Sequence, residues 1–475
     1  MSANAVRALG AYAPRFRITS EAFVEAWGQF QAAGVEEKAV PGADEDALTM
    51  AVAAGERALA ADGSDGSDVT YLAFASTTPP LAEEDLTARL GAALAVPETA
   101  TRRFHSGSTR AGTQALVDGL DAGLDGGVGL VVAADCPRGN LDESTDHAAG
   151  AGAVAFVLAG DGSARVVDRA EYASPYPGTR FRQSGSERVE GLDVTTYDRN
   201  AFRDVVTGAV EGLDASLDPD AVAIQAPDGK LPYRVAGALG VDSDAIYDVA
   251  TVHELGDTGA ASALLSLATA LADGLETTLV VGYGSGGGAD ALVVEADGEV
   301  VTDLGLAGET TLSYAEYLRQ RGEVTSGPPA GGGAYVSVPS WTRTIPQRYR
   351  LEAGRCGSCG ALNFPPEGAC EQCHERAELA PVRLPGTGTV EAVTTISQGG
   401  APPEFAEQQA KTGDFAVAVV ALDGPDAEAA VSMPAQVTDA DPGAVDVGDR
   451  VEATFRRIYT QEGVTRYGSK VTPTG

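Results

Sequence analysis

From the N-terminus to about residue 300, short runs of β-branched and other apolar residues alternate with longer Ala- and Gly-rich stretches. The apolar runs predict strands at Val6 to Ala11, Tyr71 to Ala75, Val128 to Ala133, Ala153 to Leu158, Ala221 to Ile224, Thr278 to Val281 and Ala291 to Val294. The stretches between them predict helices at Asp44 to Ala61, Ala111 to Leu124, Arg199 to Leu217 and Gly259 to Asp273. Such alternation is the βαβ pattern of an α/β fold with a parallel sheet covered on both faces. The strands before residue 160 and those from 220 to 295 look like one half-fold used twice. Each set carries a glycine-rich piece, Ala148 to Phe156 and Gly282 to Asp290, which suits tight turns and close backbone approach. Neither piece opens a helix directly after a strand, so a dinucleotide-binding fingerprint is not expected. Beyond residue 300 one helical piece, Ser313 to Arg321, precedes the linker-like stretch Ser326 to Gly333. Short β runs at Gly386 to Val393, Phe415 to Leu422, Ala430 to Val437 and Arg450 to Ile458 then predict a small five-stranded barrel of the OB type. The expected organisation is therefore 1–160, 161–322, a linker at 323–348, a metal-binding piece at 349–377 and the barrel at 378–475.

The chain has 475 residues and a formal net charge of -35, with 33 Lys and Arg against 68 Asp and Glu. Only Lys38, Lys230, Lys411 and Lys470 supply lysine, and the acid is spread along the chain rather than gathered in a tail. A distributed acidic surface of this kind predicts a halophilic protein whose self-repulsion is screened by salt. The same charge opposes a phosphate backbone, so no nucleic-acid partner is expected even for an OB barrel. No apolar run approaches the ~18 residues of a membrane span, and the opening Met-Ser-Ala-Asn-Ala-Val-Arg carries no apolar leader segment. The expectation is a cytoplasmic protein without a membrane partner.

Four of the five cysteines form two C-x-x-C pairs, Cys356 with Cys359 and Cys370 with Cys373. This is the spacing of a closed, tetrahedral, four-thiolate structural zinc site, a zinc ribbon. His374 follows the last thiol and reads as a bystander. The fifth cysteine, Cys136, reads as a small buried or half-buried residue.

The segments Gly10-Ala-Tyr-Ala-Pro-Arg-Phe-Arg-Ile18, Asp44-Glu-Asp-Ala-Leu-Thr-Met-Ala-Val52, Ala75-Ser-Thr-Thr-Pro-Pro80 and Gly284-Ser-Gly-Gly-Gly-Ala-Asp290 resemble the archaeal hydroxymethylglutaryl-CoA synthase branch of the thiolase superfamily. The likeness runs from about residue 4 to the Tyr317-Leu-Arg-Gln-Arg-Gly322 ending. The remainder resembles the zinc-ribbon and OB-fold partner of archaeal acyl-CoA condensing complexes, here fused to the synthase-like part. The resemblance implies a five-layered αβαβα fold with duplicated halves, a homodimer, a thiolase-type partner, and a tunnel that holds a coenzyme A thioester.

It also implies where the chemistry should lie. Condensation of this type needs a thiolate nucleophile, a group that moves the α-proton, and donors for the oxyanion. Matching the family's Lys-Ala-Gly-Thr to Arg110-Ala-Gly-Thr113 places Thr109 at the cysteine position, with Ser108 the alternative if the register slips by one. The His-Gln-Pro-Asn-Gly-Lys motif reads Gln225-Ala-Pro-Asp-Gly-Lys230, and Gly-Asn-Thr reads Gly256-Asp257-Thr258. The synthase's general-base Glu is absent from Ser76 to Pro80, although Glu83 and Glu84 follow. These substitutions predict a catalytically degenerate protein that binds acyl-CoA or scaffolds a condensing complex. The alternative is an active acyltransferase with atypical groups, drawn from His105, Ser106, Ser108 and Asp257. Arg110, Lys230 and Ser285 are the candidate substrate-binding residues.

The acidic surface carries the first testable expectation. Thermal unfolding followed by circular dichroism should show a melting temperature that falls when molar salt is removed; a salt-independent transition would contradict the halophilic reading.

Overall fold

The computed structural model describes residues 4–215, 218–325, 337–397, 403–425, 430–461 and 463–474. Two compact units emerge, Met1–Gly42 with Asp46–Tyr317, and Ala43–Glu45 with Leu318–Gly475.

In the first unit the strands of the main sheet are β1 (Ala5–Tyr12), β2 (Val69–Ala75), β3 (Thr101–His105), β4 (Val128–Asp135), β5 (Gly152–Ala159), β6 (Ala164–Tyr176), β7 (Ala221–Ile224), β8 (Thr277–Gly284), β9 (Gly286–Ala296) and β10 (Val301–Gly305). They form a sheet in the order β3-β2-β4-β5-β1-β6-β9-β8-β7, with β10 added beside β1. The halves mirror one another. In one, β2 runs parallel to β4, and β4 is antiparallel to β5; in the other, β7 runs parallel to β8, and β8 is antiparallel to β9. They meet where β1 and β6 pair at Val6 and Ala164. The sheet is thus mixed rather than wholly parallel. The reason is local: Ser285 alone separates β8 from β9, and so short a connection can only make an antiparallel hairpin. The glycine-rich piece Gly282 to Asp290 is that hairpin.

Four main helices complete the layers. Helix α1 (Ala47–Asp62) covers the half built on β1, β4 and β5, and α3 (Thr195–Val210) covers the half built on β6, β8 and β9. Between the halves lie α2 (Ala111–Leu120) and α4 (Ser262–Ala272); α2 packs on β2, β4 and β8, and α4 on β7, β8, β1 and β5. This is the five-layered arrangement. Helix α1 begins after Asp46, whose carboxylate accepts from the backbone of Leu48 and Thr49 while Thr49 Oγ1 accepts from Asp46 N, a capping box that stabilises by about 1 kcal/mol. Helix α4 is buried along nearly its whole length, which its leucines and alanines allow.

The second unit contains helices α5 (Val338–Arg343) and α6 (Ile345–Arg350). The sequence pattern predicts a single helical piece before residue 345; the structure adds two more, with Pro339 and Pro346 in their first turns, where a missing N–H costs nothing. The linker-like Ser326 to Gly333 lies outside the described residues. Strands β11 (Glu352–Cys356), β12 (Leu362–Asn363) and β13 (Leu379–Arg383) form the small ribbon sheet. Strands β14 (Thr387–Ile396), β15 (Phe415–Asp423), β16 (Ala430–Gln436), β17 (Arg450–Gln461) and β18 (Val464–Pro473) form a sheet in the order β16-β15-β14-β17-β18. A bridge from Val437 to Val471 nearly closes it into a barrel around Val390, Val420, Leu422, Val451 and Val471. Within this unit Lys470 Nζ donates to Asp44 Oδ2 at 2.8 Å, and both groups are buried. Arg456 holds Glu45 at 3.4 Å and Asp439 at 3.0 Å.

Among the described residues no helix is long and apolar enough to cross a membrane. A buried aromatic group lies near the end of the first unit: His147 stacks on Phe30 at 5.2 Å and lies 4.7 Å from Phe23. Its Nδ1 accepts from Gln31 N at 2.9 Å, which fixes a neutral ring, and Lys38 Nζ lies 4.9 Å from the Phe23 ring. Burial, and then the Lys38 charge, push the His147 pKa down to about 4. An unfolded histidine titrates near ~6.5, so the folded state resists a proton that the unfolded chain accepts. Stability should therefore be lost as pH falls from ~6.5 towards 4. In His147→Gln, melting temperatures across that window should show a shallower acid-side decline than in the parent.

Candidate functional site

The first turn of α2 approaches strand β8 more closely than side chains permit. A Cβ on Gly284 would lie 2.4 Å from Ser108 Oγ, one on Gly282 2.3 Å from Thr113 Oγ1, and one on Gly112 2.0 Å from the Ala260 carbonyl oxygen. Gly282 and Gly284 therefore let the Ser108-Thr109-Arg110 loop settle against the strand end, and Gly112 lets the helix start settle against Ala260. Thr109 is buried, and its hydroxyl donates to the Tyr283 carbonyl at 2.7 Å. Gln225, just past β7, donates its backbone N–H to the carbonyl of Val281, which precedes Tyr283 by two residues on β8.

Gln225 and Asp257 are brought together: Gln225 Nε2 donates to Asp257 Oδ1 at 3.4 Å, and Gly259 N donates to the same oxygen at 2.9 Å. The other carboxylate oxygen receives Arg180 Nη1. Burial pushes the Asp257 pKa up and the Arg180 charge opposes it. Sequence reasoning missed Arg180, which comes from the segment after β6. In the same segment Arg182 donates to the Thr77 carbonyl at 2.8 Å. No spacing signal marks these arginines, because a contact across about 77 residues leaves no periodicity.

A second residue also escaped notice. Asp135, at the end of β4, is buried and accepts from Ser76 Oγ, Thr77 N and Oγ1, Thr78 N and Oγ1, and Ala260 N at 2.6 to 2.9 Å. The hydroxyls of Ser76 to Thr78 are thereby occupied in fixing strand ends. The Ser-Thr-Thr run after a strand was the available signal.

The remaining candidates disperse. Arg110 lies between Asp290 and Glu171, with Thr113 Oγ1 donating to Asp290 at 2.6 Å, so its charge serves the packing of α2 on β9. Lys230 is exposed and Ser285 half-buried in the hairpin turn. His105 does not address the nearby serines; its Nε2 lies 3.5 Å from Asp118. Ser108 Oγ is buried without a hydrogen-bond partner. Of the two glutamates after Ser76 to Pro80, Glu84 pairs with Arg89 and Glu83 is exposed. Burial pushes the Cys136 thiol up to about 12, which suits an inert residue.

The four ribbon thiols form a separate site. Cys356 and Cys373 Sγ are 3.8 Å apart, Cys359 and Cys370 Sγ 3.6 Å, and all four lie within 4.8 Å of one another. A zinc with four thiolates at about 2.3 Å needs sulfur separations of about 3.8 Å, so the donor set fits. Each C-x-x-C turn is closed alike, by Gly360 N to Cys356 O at 2.8 Å and His374 N to Cys370 O at 2.9 Å. His374 has a φ of 61°, in the place where Gly360 has 78°. It therefore occupies a turn position, not a ligand position. Asn363 steadies the second turn, with Nδ2 3.7 Å from Cys370 Sγ and Oδ1 accepting from Glu371 N. Backbone donors from Cys373 and Gln372 push the Cys370 thiol down to about 6, favouring the thiolate.

Comparison with known proteins now bears on both parts. The hydroxymethylglutaryl-CoA synthase of Methanopyrus kandleri is 31% identical over 338 residues, covering 67% of this chain and 93% of that protein. The chain belongs to the hydroxymethylglutaryl-CoA synthase family. The synthase of Caldivirga maquilingensis is also 31% identical, over 66% of this chain and 95% of that protein. Among solved structures, an HMG-CoA synthase complexed with CoA superposes with a TM-score of 0.59 at 16% identity, over 71% of this chain and 96% of that one, which shows the shared fold. Residues 343–379 match the family described as ChsH2, rubredoxin-like zinc ribbon domain, and residues 381–456 that described as ChsH2, C-terminal OB-fold domain. The synthase-family fold, the zinc ribbon and the OB barrel thus agree with the sequence reading.

Metal removal tests the ribbon. A chelator should release one zinc per chain and unfold the segment after Arg350, leaving the first 300 residues folded. Zinc release measured with a colorimetric indicator and limited proteolysis would check both parts; a chain that kept protease resistance beyond Arg350 without zinc would contradict it.

Proposed function

We propose that this member of the synthase family holds an acyl-CoA thioester without condensing it, and serves as a binding or scaffolding subunit in acyl-CoA chemistry. The observation that carries this reading is the state of the three motif positions. The Thr109 hydroxyl is committed to the Tyr283 carbonyl, Gln225 cannot take a proton, and the Asp257 carboxylate is engaged by Arg180. Acyl transfer to the protein needs a nucleophile with a base beside it, and a hydroxyl donating to a backbone carbonyl has neither lowered pKa nor proton acceptor. Binding asks less, since backbone donors and cavity shape survive loss of a thiol. The CoA-bound state of a solved structure with this fold supports coenzyme A as the ligand. A homodimer, and association with a thiolase-type partner, belong to the same proposal.

One observation favours an active enzyme instead. Ser108 Oγ is buried with no partner, in the loop that carries Thr109. The experiment is to titrate the zinc-loaded chain with CoA by calorimetry and to follow CoA release from acetyl-CoA and acetoacetyl-CoA. Saturable binding with no release is the expected result. Turnover that vanishes in Ser108→Ala or Thr109→Ala would overturn the non-condensing reading, and absence of CoA binding would overturn the ligand assignment.

A further inference from the structure

Asp and Glu outnumber Lys and Arg by 68 to 33 in this chain, so a cation has many carboxylates to choose from. In the second unit several arginines take one: Arg350 pairs with Glu352 at 2.9 Å, Arg450 with Asp423 at 2.5 Å, and Arg456 with Asp439 at 3.0 Å. Arg348 and Arg466 do not. Their guanidinium groups both lie over the indole of buried Trp341, at 4.8 and 5.0 Å from its centroid. Arg348 Nε donates to Thr344 Oγ1 at 2.9 Å, its one hydrogen bond to a side chain. Arg466 is only 7% exposed, and its Nε is buried without a hydrogen-bond partner. Among the described residues neither arginine forms an ion pair.

Burying an unpaired charge is costly, and placing a second like charge on the same ring adds repulsion. Stacking on tryptophan offsets part of that cost through the ring quadrupole but supplies no acceptor to Arg466 Nε. Two guanidinium groups gathered on one aromatic ring, with no carboxylate on either, offer charge-assisted donors to an anion with several oxygens. A monovalent carboxylate would leave one positive charge over; a phosphate ester or pyrophosphate matches both. We propose that Arg348 and Arg466, held on Trp341, form a binding site for a phosphate ester or pyrophosphate group. The site lies wholly within the second unit and does not rest on what the synthase-like unit does to a thioester. Its phosphate could belong to a free anion or to the nucleotide end of a coenzyme.

Trp341 is a built-in reporter, because the only other tryptophan is Trp27. In Trp27→Phe, full-length and zinc-loaded, fluorescence reads Trp341 alone. Pyrophosphate, CoA and pantetheine are titrated at the lowest salt that keeps the chain folded by circular dichroism. The expected result is a saturable change with pyrophosphate, CoA or both, and none with phosphate-free pantetheine. A response to CoA but not to pyrophosphate assigns the phosphate to a coenzyme; a response to both assigns recognition to the phosphate itself. Arg466→Met and Arg348→Met should each weaken binding roughly tenfold or more, the loss of one charge-assisted contact. Arg466→Lys, which keeps the charge and loses the fork, should fall between. A Trp341 signal indifferent to all three titrants overturns the proposal. So does unchanged affinity in folded, zinc-loaded arginine variants. Neither result depends on CoA release, which is read separately on the synthase-like unit.

Discussion

The close approach of α2 to β8 sets the geometry of everything around it. Gly112, Gly282 and Gly284 leave no space for a side chain between the helix start and its neighbours, and packing this dense transmits any change in volume directly to backbone. The Ser108-Thr109 loop is positioned by that contact rather than by its own hydrogen bonds. With Thr109 on Tyr283 and Gln225 on Val281, two segments far apart in sequence are registered against a single strand. The chemistry available there is decided by which atoms the side chains carry, because the backbone frame leaves little freedom for them to move.

Around that contact the buried polar groups divide by function. Asp135 is satisfied by neutral donors alone and joins strand ends. Asp257 takes an arginine from a distant segment. A buried carboxylate needs one solution or the other.

Much of this was legible in the residues. Seven strand runs in the first unit were found because, Arg7 in the first of them apart, they are apolar nearly throughout, as strands covered on both faces must be. Strand β6 was missed for the opposite reason: Arg165, Asp168, Arg169 and Glu171 lie among its apolar residues, and much of it is only half-buried. Strand β18 was hidden by Arg466 and Lys470, charged residues that the barrel nevertheless buries. The cysteine pairs announced their geometry through spacing alone. Arg180 and Asp135 could not be found in that way, since their partners are set by topology and not by any interval along the chain.

The tripeptide Ala43–Glu45 groups with the C-terminal unit, and its Asp44 meets Lys470, which lies 426 residues further along the chain. Folding must therefore close one very long loop before this buried pair can form. Until it does, neither charge can leave water, and a chain in which either group is replaced leaves the other buried without a counter-charge.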